Sequence, residues 1–194
     1  MHNMEILTFR YVTKSDPYDP TYPHWSRKWE YPTVIAEIDK IVDQMGRYPK
    51  IHNSSWGFDP DHHTRFKNQL EKKYLKHNVT NSDIVFTGVH NSCYHDITQP
   101  PNEQFKEAFD IVLNISALEE IPGDHDLYLD NLAAQVVPGG YLICTFDYPG
   151  LRLNNFNDIF TKEGDSDKIS EHTQFWFGPG DLNVLLFIAK KNQS

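Results

Sequence analysis

Two short apolar segments, Phe109–Ile115 (FDIVLNI) and Tyr141–Phe146 (YLICTF), constrain the fold of this chain more than any other feature. Their uninterrupted apolar character is typical of strands that are covered on both faces of a sheet. Between them, four apolar residues recur at the spacing of one helical face: Leu129, Leu132, Ala133 and Val136. Pro138-Gly139-Gly140 is expected to end this helix. The order strand, helix, strand predicts parallel strands joined by a helical connection.

The same alternation runs through the first half of the chain. A helix is predicted to start near Pro32 and to end at Gly46, because apolar residues between them follow helical spacing. These residues are Val34, Ile38, Ile41, Val42 and Met45. Lys50–Ser55 is then predicted as a short buried strand, Ser82–Val89 as a second and Ser92–Thr98 as a third.

A helix is also predicted between the first two of these strands. Asp59 is a candidate N-cap and Pro60 a candidate first helical residue. A narrow apolar stripe follows on an otherwise charged segment: Phe66, Leu70 and Tyr74.

The tail of the chain differs from the rest. Thr173–Phe177 and Val184–Ala189 are rich in strand-forming residues, and the turn sequence GPGDLN lies between them. This pattern predicts an antiparallel hairpin at the end of an alternating α/β chain. Alternation predicts a mostly parallel sheet with helices on both faces, and such sheets bind ligands beyond the carboxyl ends of their strands.

Composition narrows the classes of function. A formal net charge of -9 argues against a protein that tracks nucleic-acid phosphates. No apolar run approaches the length of about 20 residues that a membrane helix needs. The N-terminal sequence MHNMEILTFRY lacks the pattern of a signal peptide, so a cytoplasmic protein with no membrane partner is expected.

The N-terminal region has a composition of its own. Residues 14–32 contain four prolines and five aromatic residues, which favours an ordered, non-helical segment lying over a surface. We therefore predict an aromatic and proline-rich arm over residues 1–32 and an α/β domain over residues 33–194.

Residues 109–147 resemble the second half of class I S-adenosylmethionine-dependent methyltransferases. Shared features are a strand that begins Phe-Asp, an acidic-histidine turn, a helix, Pro-Gly-Gly and a further strand. The resemblance covers residues 26–190, and SRKWEYP (Ser26–Pro32) is similar to the arm of methyltransferase-like proteins from sugar and polysaccharide clusters. It implies a Rossmann-like, mostly parallel seven-stranded sheet with a C-terminal antiparallel hairpin. It also implies S-adenosylmethionine as cofactor and a small molecule or sugar as methyl acceptor.

The family's first motif, a strand followed by a glycine-rich turn, falls on residues 53–59. Asn53 takes the place of the motif's acid, Ser55 that of the first glycine, Gly57 that of the second and Asp59 that of the third. The resemblance implies that the cofactor contacts this loop: Asn53, Ser54, Ser55, Trp56 and Gly57. The alternative is a tight turn in which Asn and Ser side chains bond their own backbone.

Two further positions are implied to bind the cofactor. Asp96 and the backbone amide of Ile97, in YHDIT, match the family's strand-end acid and are expected to hold the adenine. The strand before them should end in an acid that holds the ribose hydroxyls, but His90 and Asn91 follow it here. Either side chain can hydrogen-bond a diol. So few residues separate Asn91 from YHDIT that the family's second helix is expected to be missing.

The end of the strongest strand supplies the remaining candidates. Asn114, Ile115 and Ser116 lie where this architecture puts ligands, although Asn114 can equally bond the backbone. Glu119, Glu120 and His90 are candidates for a catalytic base, and the two adjacent acids also suit a helix start.

No metal site is expected in the histidine- and aspartate-rich stretch His52–His63. Adjacent histidines on a helix point apart, and no H-x-x-x-H spacing occurs. Two alternatives to a methyltransferase remain open. One is a protein of the same fold that has lost cofactor binding and serves as a binding or assembly module. The other is a pocket that takes a different nucleotide-like ligand.

Overall fold

The computed structural model of this chain describes residues 3–57, 63–85, 92–153, 167–173 and 180–193. Its strands are β1 (Met4–Tyr11), β2 (Ile51–Ser54), β3 (Val79–Asp83), β4 (Ser92–Tyr94), β5 (Phe109–Ile115), β6 (Val136–Tyr148), β7 (Ser170–Thr173) and β8 (Gly180–Lys191). Its α-helices are α1 (Arg27–Met45), α2 (His63–Tyr74) and α3 (His125–Ala133). Short 3-10 helices lie at Lys76–Asn78 and Leu118–Glu120.

The strands form one mixed sheet. Seven of them follow the order β1-β8-β6-β5-β2-β3-β4, and β7 pairs with β8 beside this path. Strands β2 to β6 pair in parallel, whereas β8 is antiparallel to its neighbours β6, β1 and β7. The predicted Rossmann-like, mostly parallel sheet with a C-terminal antiparallel hairpin is confirmed, but the sheet has eight strands in the described residues and not the predicted seven, since β7 is added beside β8.

Alternation along the strands builds a core on each face of the sheet. Ile111 and Leu113 of β5 pack in the cluster that contains α1 and α2. Val112, which lies between them, packs in the cluster that contains α3. Because successive strand residues point to opposite faces, helices cover both sides of the sheet. No helix among the residues listed above is long and apolar enough to cross a membrane.

The N-terminal region is built differently from the prediction. Residues Met4–Tyr11 are not part of a separate arm but form β1, which pairs with Leu185–Lys191 of β8. Strand β7 pairs with residues 180–183 of β8, so β1 and β7 divide the length of β8 between them. The division predicted at residue 32 therefore separates β1 from its own sheet.

Helix α1 begins at Arg27, so Pro32 lies inside it and does not start it. A proline has no N–H, so the carbonyl of Lys28 lacks its helical donor. The backbone N–H of Asp19 donates to that carbonyl at 2.8 Å instead. A bond from the preceding loop thus lets the helix continue through the proline. The predicted end at Gly46 is confirmed: its φ is 64° and its N–H donates to the carbonyl of Val42.

The largest error along the sheet concerns β3. It spans Val79–Asp83 (VTNSD), whereas the sequence predicts a strand over Ser82–Val89. The apolar Ile84 and Val85 are 56% and 67% exposed, and the polar Asn81 and Ser82 are fully buried. Hydrogen bonds described below compensate for that burial, which hydrophobic patterning does not register. Residues 86–91 lie outside the described part of the chain.

Smaller differences occur at two other places. Helix α3 ends at Ala133, and Val136 together with Pro138-Gly139-Gly140 belongs to β6. A Cβ at Gly140 would lie 2.6 Å from the carbonyl oxygen of Asp110, so this glycine permits a close approach of β6 to β5. Strand β7 starts at Ser170, before the predicted Thr173–Phe177, and residues 174–177 lie outside the described residues.

Candidate functional site

A pocket of about 320 Å³ opens at the carboxyl ends of the parallel strands. It lies within the size range of small-molecule sites, about 300–1,000 Å³. Nine of the residues predicted from the sequence line it: Asn53, Ser55, Trp56, Gly57, Asp96, Ile97, Ile115, Ser116 and Glu120. Ser54, Asn114 and Glu119 are buried beside it, and His90 lies outside the described residues.

The turn after β2 forms the floor of the pocket. Ser55 has a φ of 53°, in the left-handed region that glycine usually supplies, and Gly57 has a φ of 149°. The indole N–H of Trp56 donates to the Ser92 hydroxyl at 2.7 Å. Asn53 donates from its side-chain amide to the Asn81 side chain at 3.0 Å, and it also lines the pocket. The turn therefore has the backbone form of a glycine-rich loop with serine at its first position.

Asp83 is the site residue that the sequence analysis missed. It ends β3 and lines the pocket next to the turn. Its carboxylate accepts hydrogen bonds from the backbone N–H of Gly57 at 3.4 Å and of Val85 at 2.8 Å. The expectation that no acid ends this strand is wrong, because the predicted end at Val89 lies six residues beyond the observed end at Asp83. The residue that follows the strand is therefore not His90.

Asp96 lies in the turn directly after β4. Its Oδ1 accepts from the backbone N–H and the hydroxyl of Thr98, at 2.9 and 2.7 Å. The carboxylate thus fixes its own turn, while both Asp96 and Thr98 line the pocket. The backbone N–H of His95 donates to the carbonyl of Asp83 at 3.3 Å, which ties the ends of β3 and β4 together. Asp83 and Asp96 are consequently neighbours along one rim.

The end of β5 forms the opposite rim. Asn114 is fully buried and its Oδ1 accepts from the backbone N–H of Leu118 at 3.1 Å, so it caps the short helix that follows. Ser116 has a φ of 42° and its hydroxyl donates to Glu30 at 2.6 Å. Ile115 and Ser116 line the pocket, whereas Asn114 supports it from behind.

The two adjacent acids have different environments. Glu120 is exposed and lines the pocket. Glu119 is buried and accepts from the backbone N–H of Asp147 at 2.5 Å. Burial, followed by the negative charge of Asp147, raises the pKa of Glu119 well above its ordinary value. Of the three predicted base candidates, Glu120 is the one that the described structure brings to the pocket.

A buried ion pair on α1 closes the β5 side of the pocket. Arg27 donates to Glu30, and Glu30 also accepts from the Thr145 hydroxyl at 2.8 Å. Burial opposes ionisation of Glu30, but Arg27 and the hydroxyl donors outweigh it and lower the pKa of this carboxyl. Tyr31, one turn along α1, stacks on Phe66 of α2 with ring centroids 4.2 Å apart. Arg27, Tyr31 and Phe66 all line the pocket.

Metal binding finds no support in the described residues. They contain no group of three or more His, Cys, Asp or Glu side chains that could hold an ion. His52 is fully buried and hydrogen-bonded to Gln135 and Ser82. Asp59, Asp61 and His62 lie outside the described part of the chain, and His63 begins α2.

No protein-family profile and no curated protein sequence matches this chain. Solved structures do resemble its fold. A candidate sarcosine dimethylglycine methyltransferase from Galdieria sulphuraria has a TM-score of 0.53 at 10% identity over 95% of this chain and 93% of its own. The [4+2]-cyclase SpnF has a TM-score of 0.53 at 12% identity over 95% of this chain and 87% of its own. The trans-methyltransferase CalH, in complex with S-adenosylhomocysteine, has a TM-score of 0.51 at 16% identity. That alignment covers 86% of this chain and 57% of CalH.

The chain therefore has the fold of class I S-adenosylmethionine-dependent methyltransferases. Its pocket lies at the carboxyl ends of β2 to β5, where open α/β sheets bind their ligands.

Proposed function

We propose that this protein binds S-adenosylmethionine and transfers its methyl group to a small molecule or sugar. The observation that carries the proposal is the pair of carboxylates Asp83 and Asp96, side by side on one rim of a pocket whose floor is the Ser55 turn. Two acids at adjacent strand ends suit a ligand with several hydroxyl and amino donors. These two acceptors therefore fit the hydroxyl and amino donors of an adenosine group.

Each rim residue has a role in this proposal. Asp83 accepts hydrogen bonds from the ribose hydroxyls, because a carboxylate at the end of a strand is an acceptor that suits a diol. Asp96 accepts from the adenine amino group, and Ile97 packs against the ring. At the other end of the pocket, the side-chain oxygen of Asn53 accepts from the cofactor's ammonium group. Arg27, a cation that lines the pocket, pairs with the cofactor's carboxylate.

The transfer itself requires little chemistry from the protein. When bound, the cofactor supplies an electrophilic methyl group. The protein contributes proximity and orientation, which are large effects when the reacting atoms are held in line. Glu120, at the β5 side of the pocket, is the proposed base that takes a proton from an oxygen or nitrogen acceptor. A small molecule or sugar is the proposed acceptor because the pocket is small and the chain is acidic.

Calorimetric titration with S-adenosylmethionine and S-adenosylhomocysteine tests the proposal. We expect wild-type protein to bind both, and Asp83→Asn and Asp96→Ala to weaken binding by about tenfold or more. Asp43→Asn is the matched control, because Asp43 is an exposed acid on α1 away from the pocket. Glu120→Gln is expected to leave binding intact and to lower the rate at which S-adenosylhomocysteine forms with a panel of small-molecule and sugar acceptors.

Absence of binding at millimolar ligand would overturn the enzyme proposal. The alternative, a binding or assembly module on the same fold, is favoured by the serine in the first glycine position of the turn. A fold does not fix an activity. Turnover that Glu120→Gln leaves unchanged would remove Glu120 from its proposed role, and binding without turnover on any acceptor of the panel would favour the alternative.

A further inference from the structure

Behind the pocket, on the α3 face of the sheet, four buried polar side chains are linked by a continuous series of hydrogen bonds. His52 Nδ1 lies 2.6 Å from Gln135 Oε1, and His52 Nε2 lies 2.7 Å from the Ser82 hydroxyl. Gln135 Nε2 lies 2.9 Å from His95 Nε2. Ser82, His52 and Gln135 are fully buried, and His95 is 5% exposed. We call these four residues the Gln135 relay.

Three of the four relay residues directly precede a residue that lines the pocket. His52 precedes Asn53 on β2, Ser82 precedes Asp83 on β3, and His95 precedes Asp96 after β4. Because successive strand residues point to opposite faces, His52 and Ser82 face away from Asn53 and Asp83. His95 lies just after β4 and joins the same side of the sheet through its bond to Gln135. Gln135, between α3 and β6, joins three separate strand ends from behind.

Donor and acceptor rules give the relay a single direction. Gln135 Nε2 also donates to the carbonyl of Asn131 at 3.2 Å, which fixes the orientation of the amide. Its Oε1 must then accept from His52 Nδ1–H, and its second N–H must donate to a bare His95 Nε2. His52 Nε2 is left as the acceptor of the Ser82 hydroxyl. Each of these four hydrogen bonds has a donor and an acceptor when both histidines are neutral with their protons on Nδ1.

The surroundings support this neutral state. His52 packs face to face with Phe109 and edge-on to Phe105, and His95 stacks on Phe105 with ring centroids 4.5 Å apart. Burial, followed by the proximity of His95, lowers the pKa of His52 to about 3. Burial also lowers the pKa of His95, although Asp96 opposes that change. Apolar rings around a polar chain make each of its hydrogen bonds costly to lose.

We propose that the Gln135 relay positions Asn53, Asp83 and Asp96 for the cofactor, and that Gln135 is its central positioning residue. The inference rests on the proposed function, since it assigns those three residues to one ligand. Rotation of any one strand end would move one of these three side chains relative to the other two. Loss of the relay should therefore lower the affinity for the cofactor. Among the described residues, the relay's ring contact with β5 is at Phe109, the first residue of that strand, and not at the carboxyl end where Glu120 follows, so the relay leaves the transfer step unchanged.

The test compares relay variants with variants that lose similar packing elsewhere. Gln135→Met keeps the length of the side chain and removes its hydrogen bonds, and Ser82→Ala removes one hydroxyl. Leu132→Val and Thr33→Ala are the controls. Leu132 is a fully buried apolar residue of α3, and the buried hydroxyl of Thr33 on α1 makes no hydrogen bond within the described residues. Affinity for S-adenosylhomocysteine is measured by calorimetry, and the melting temperature reports stability.

We expect Gln135→Met to weaken S-adenosylhomocysteine binding by about tenfold and Ser82→Ala by about threefold to tenfold. The controls should bind as wild type does, even where their melting temperatures fall equally far. With an acceptor, the relay variants should raise KM for the cofactor and leave kcat unchanged. Histidine ring 15N spectra should report Nδ1–H tautomers for His52 and His95 in wild type and a changed state of His52 in Ser82→Ala.

The outcomes separate the two proposals. If wild type binds no S-adenosylhomocysteine, the proposed function and the inference fall together. If wild type binds but both relay variants bind as tightly, the inference alone is overturned. Nε2–H tautomers in wild type would also overturn it, without any use of ligand. If Gln135→Met does not fold, the affinity of Ser82→Ala for S-adenosylhomocysteine and the histidine spectra of the wild type still test the inference.

Discussion

Ser55 and Ser116 line the pocket with backbones in the left-handed region, at φ values of 53° and 42°. This conformation costs a non-glycine residue about 1–2 kcal/mol. Strained backbone tends to persist where the surrounding structure uses it for binding. The two serines directly follow neighbouring strands, β2 and β5, so the strain lies where the backbone turns away from the sheet at the pocket.

The same substitution at these two serines should have opposite effects. Ser55→Gly relieves backbone strain, and the hydroxyl that it removes makes no hydrogen bond within the described residues. We therefore expect the free energy of unfolding to rise by about 0.5–1 kcal/mol. Ser116→Gly relieves similar strain but loses the 2.6 Å bond to the buried Glu30 carboxylate, so we expect a net loss of about 1 kcal/mol. Urea unfolding of both variants measures the difference. A stability loss in Ser55→Gly would contradict the assignment of strain to its backbone.

Sequence reasoning at this scale succeeded where a motif stood in its usual surroundings. Asp96 and Ser55 lie at the pocket because the YHDIT segment and the turn after β2 have the expected positions. Asp83 was missed because the apolar Ile84 and Val85 suggested a strand beyond it. The relay could not be predicted, because Gln135 and His52 are far apart in the sequence and neither belongs to a motif.

At the scale of elements, β5 was predicted to the residue because its apolar run is uninterrupted. Strand β3 was misplaced because it is polar and buried: Asn81 bonds Asn53 and Glu71, and Ser82 bonds His52. Strand β1 was missed because its exposed Ile6 and Leu7 break the alternation expected of an edge strand. In both cases the partner strand, and not local pattern, determines the structure.

The contact between the Leu118–Glu120 helix and the end of β6 should make stability depend on pH. Burial, followed by the charge of Glu30, raises the pKa of Asp147 to about 7 from an ordinary value of 3.8. Between about pH 4 and 7 the folded chain therefore holds a proton that the unfolded chain has released. The free energy of unfolding must fall as pH rises through this window. Asp147→Asn should make the free energy of unfolding less dependent on pH in this window and raise it by about 1–3 kcal/mol at pH 8.

Asp110→Asn is the control of opposite sign. Burial opposes ionisation of Asp110, but bonds from Arg47 and from the backbone of Lys50 outweigh it and lower the pKa of this carboxyl. Its stabilising effect is present at neutral pH and is lost as pH falls below the ordinary range for Asp, so its removal should reduce stability at pH 7. Unfolding curves at pH 4, 6 and 8 measure both effects. Wild-type stability that rises steadily from pH 5 to 8 would refute the assignment of a raised pKa to Asp147.

At the scale of the whole molecule, the two ends of the described chain are joined in the sheet. Residues 4–11 pair with residues 185–191, and the N–H of Asn192 donates to the carbonyl of Asn3 at 2.9 Å. Strand β8 thereby has a neighbour on both sides along its length, β6 on one side and β1 with β7 on the other. Such long-range pairing makes the edge of the sheet part of the same cooperative unit as its centre.

This closure predicts that a single contact between the ends affects global stability. Phe9 of β1 meets Phe187 of β8 edge to face, with ring centroids 5.7 Å apart. Because Phe187 is fully buried, Phe9→Ala should open the core beneath β8 and lower the free energy of unfolding by about 2–3 kcal/mol.

Leu7→Ala is the control, on the same strand but at a residue that is 48% exposed, and it should lower the free energy of unfolding by less than about 0.5 kcal/mol. Far-UV circular dichroism and tryptophan fluorescence should give the same urea midpoint in each variant. Trp25, Trp29 and Trp56 lie on or near α1 and the β2 turn, away from the altered edge, and Trp176 lies outside the described residues. Separate midpoints in Phe9→Ala would mean that β1 detaches on its own and that the ends do not share one transition.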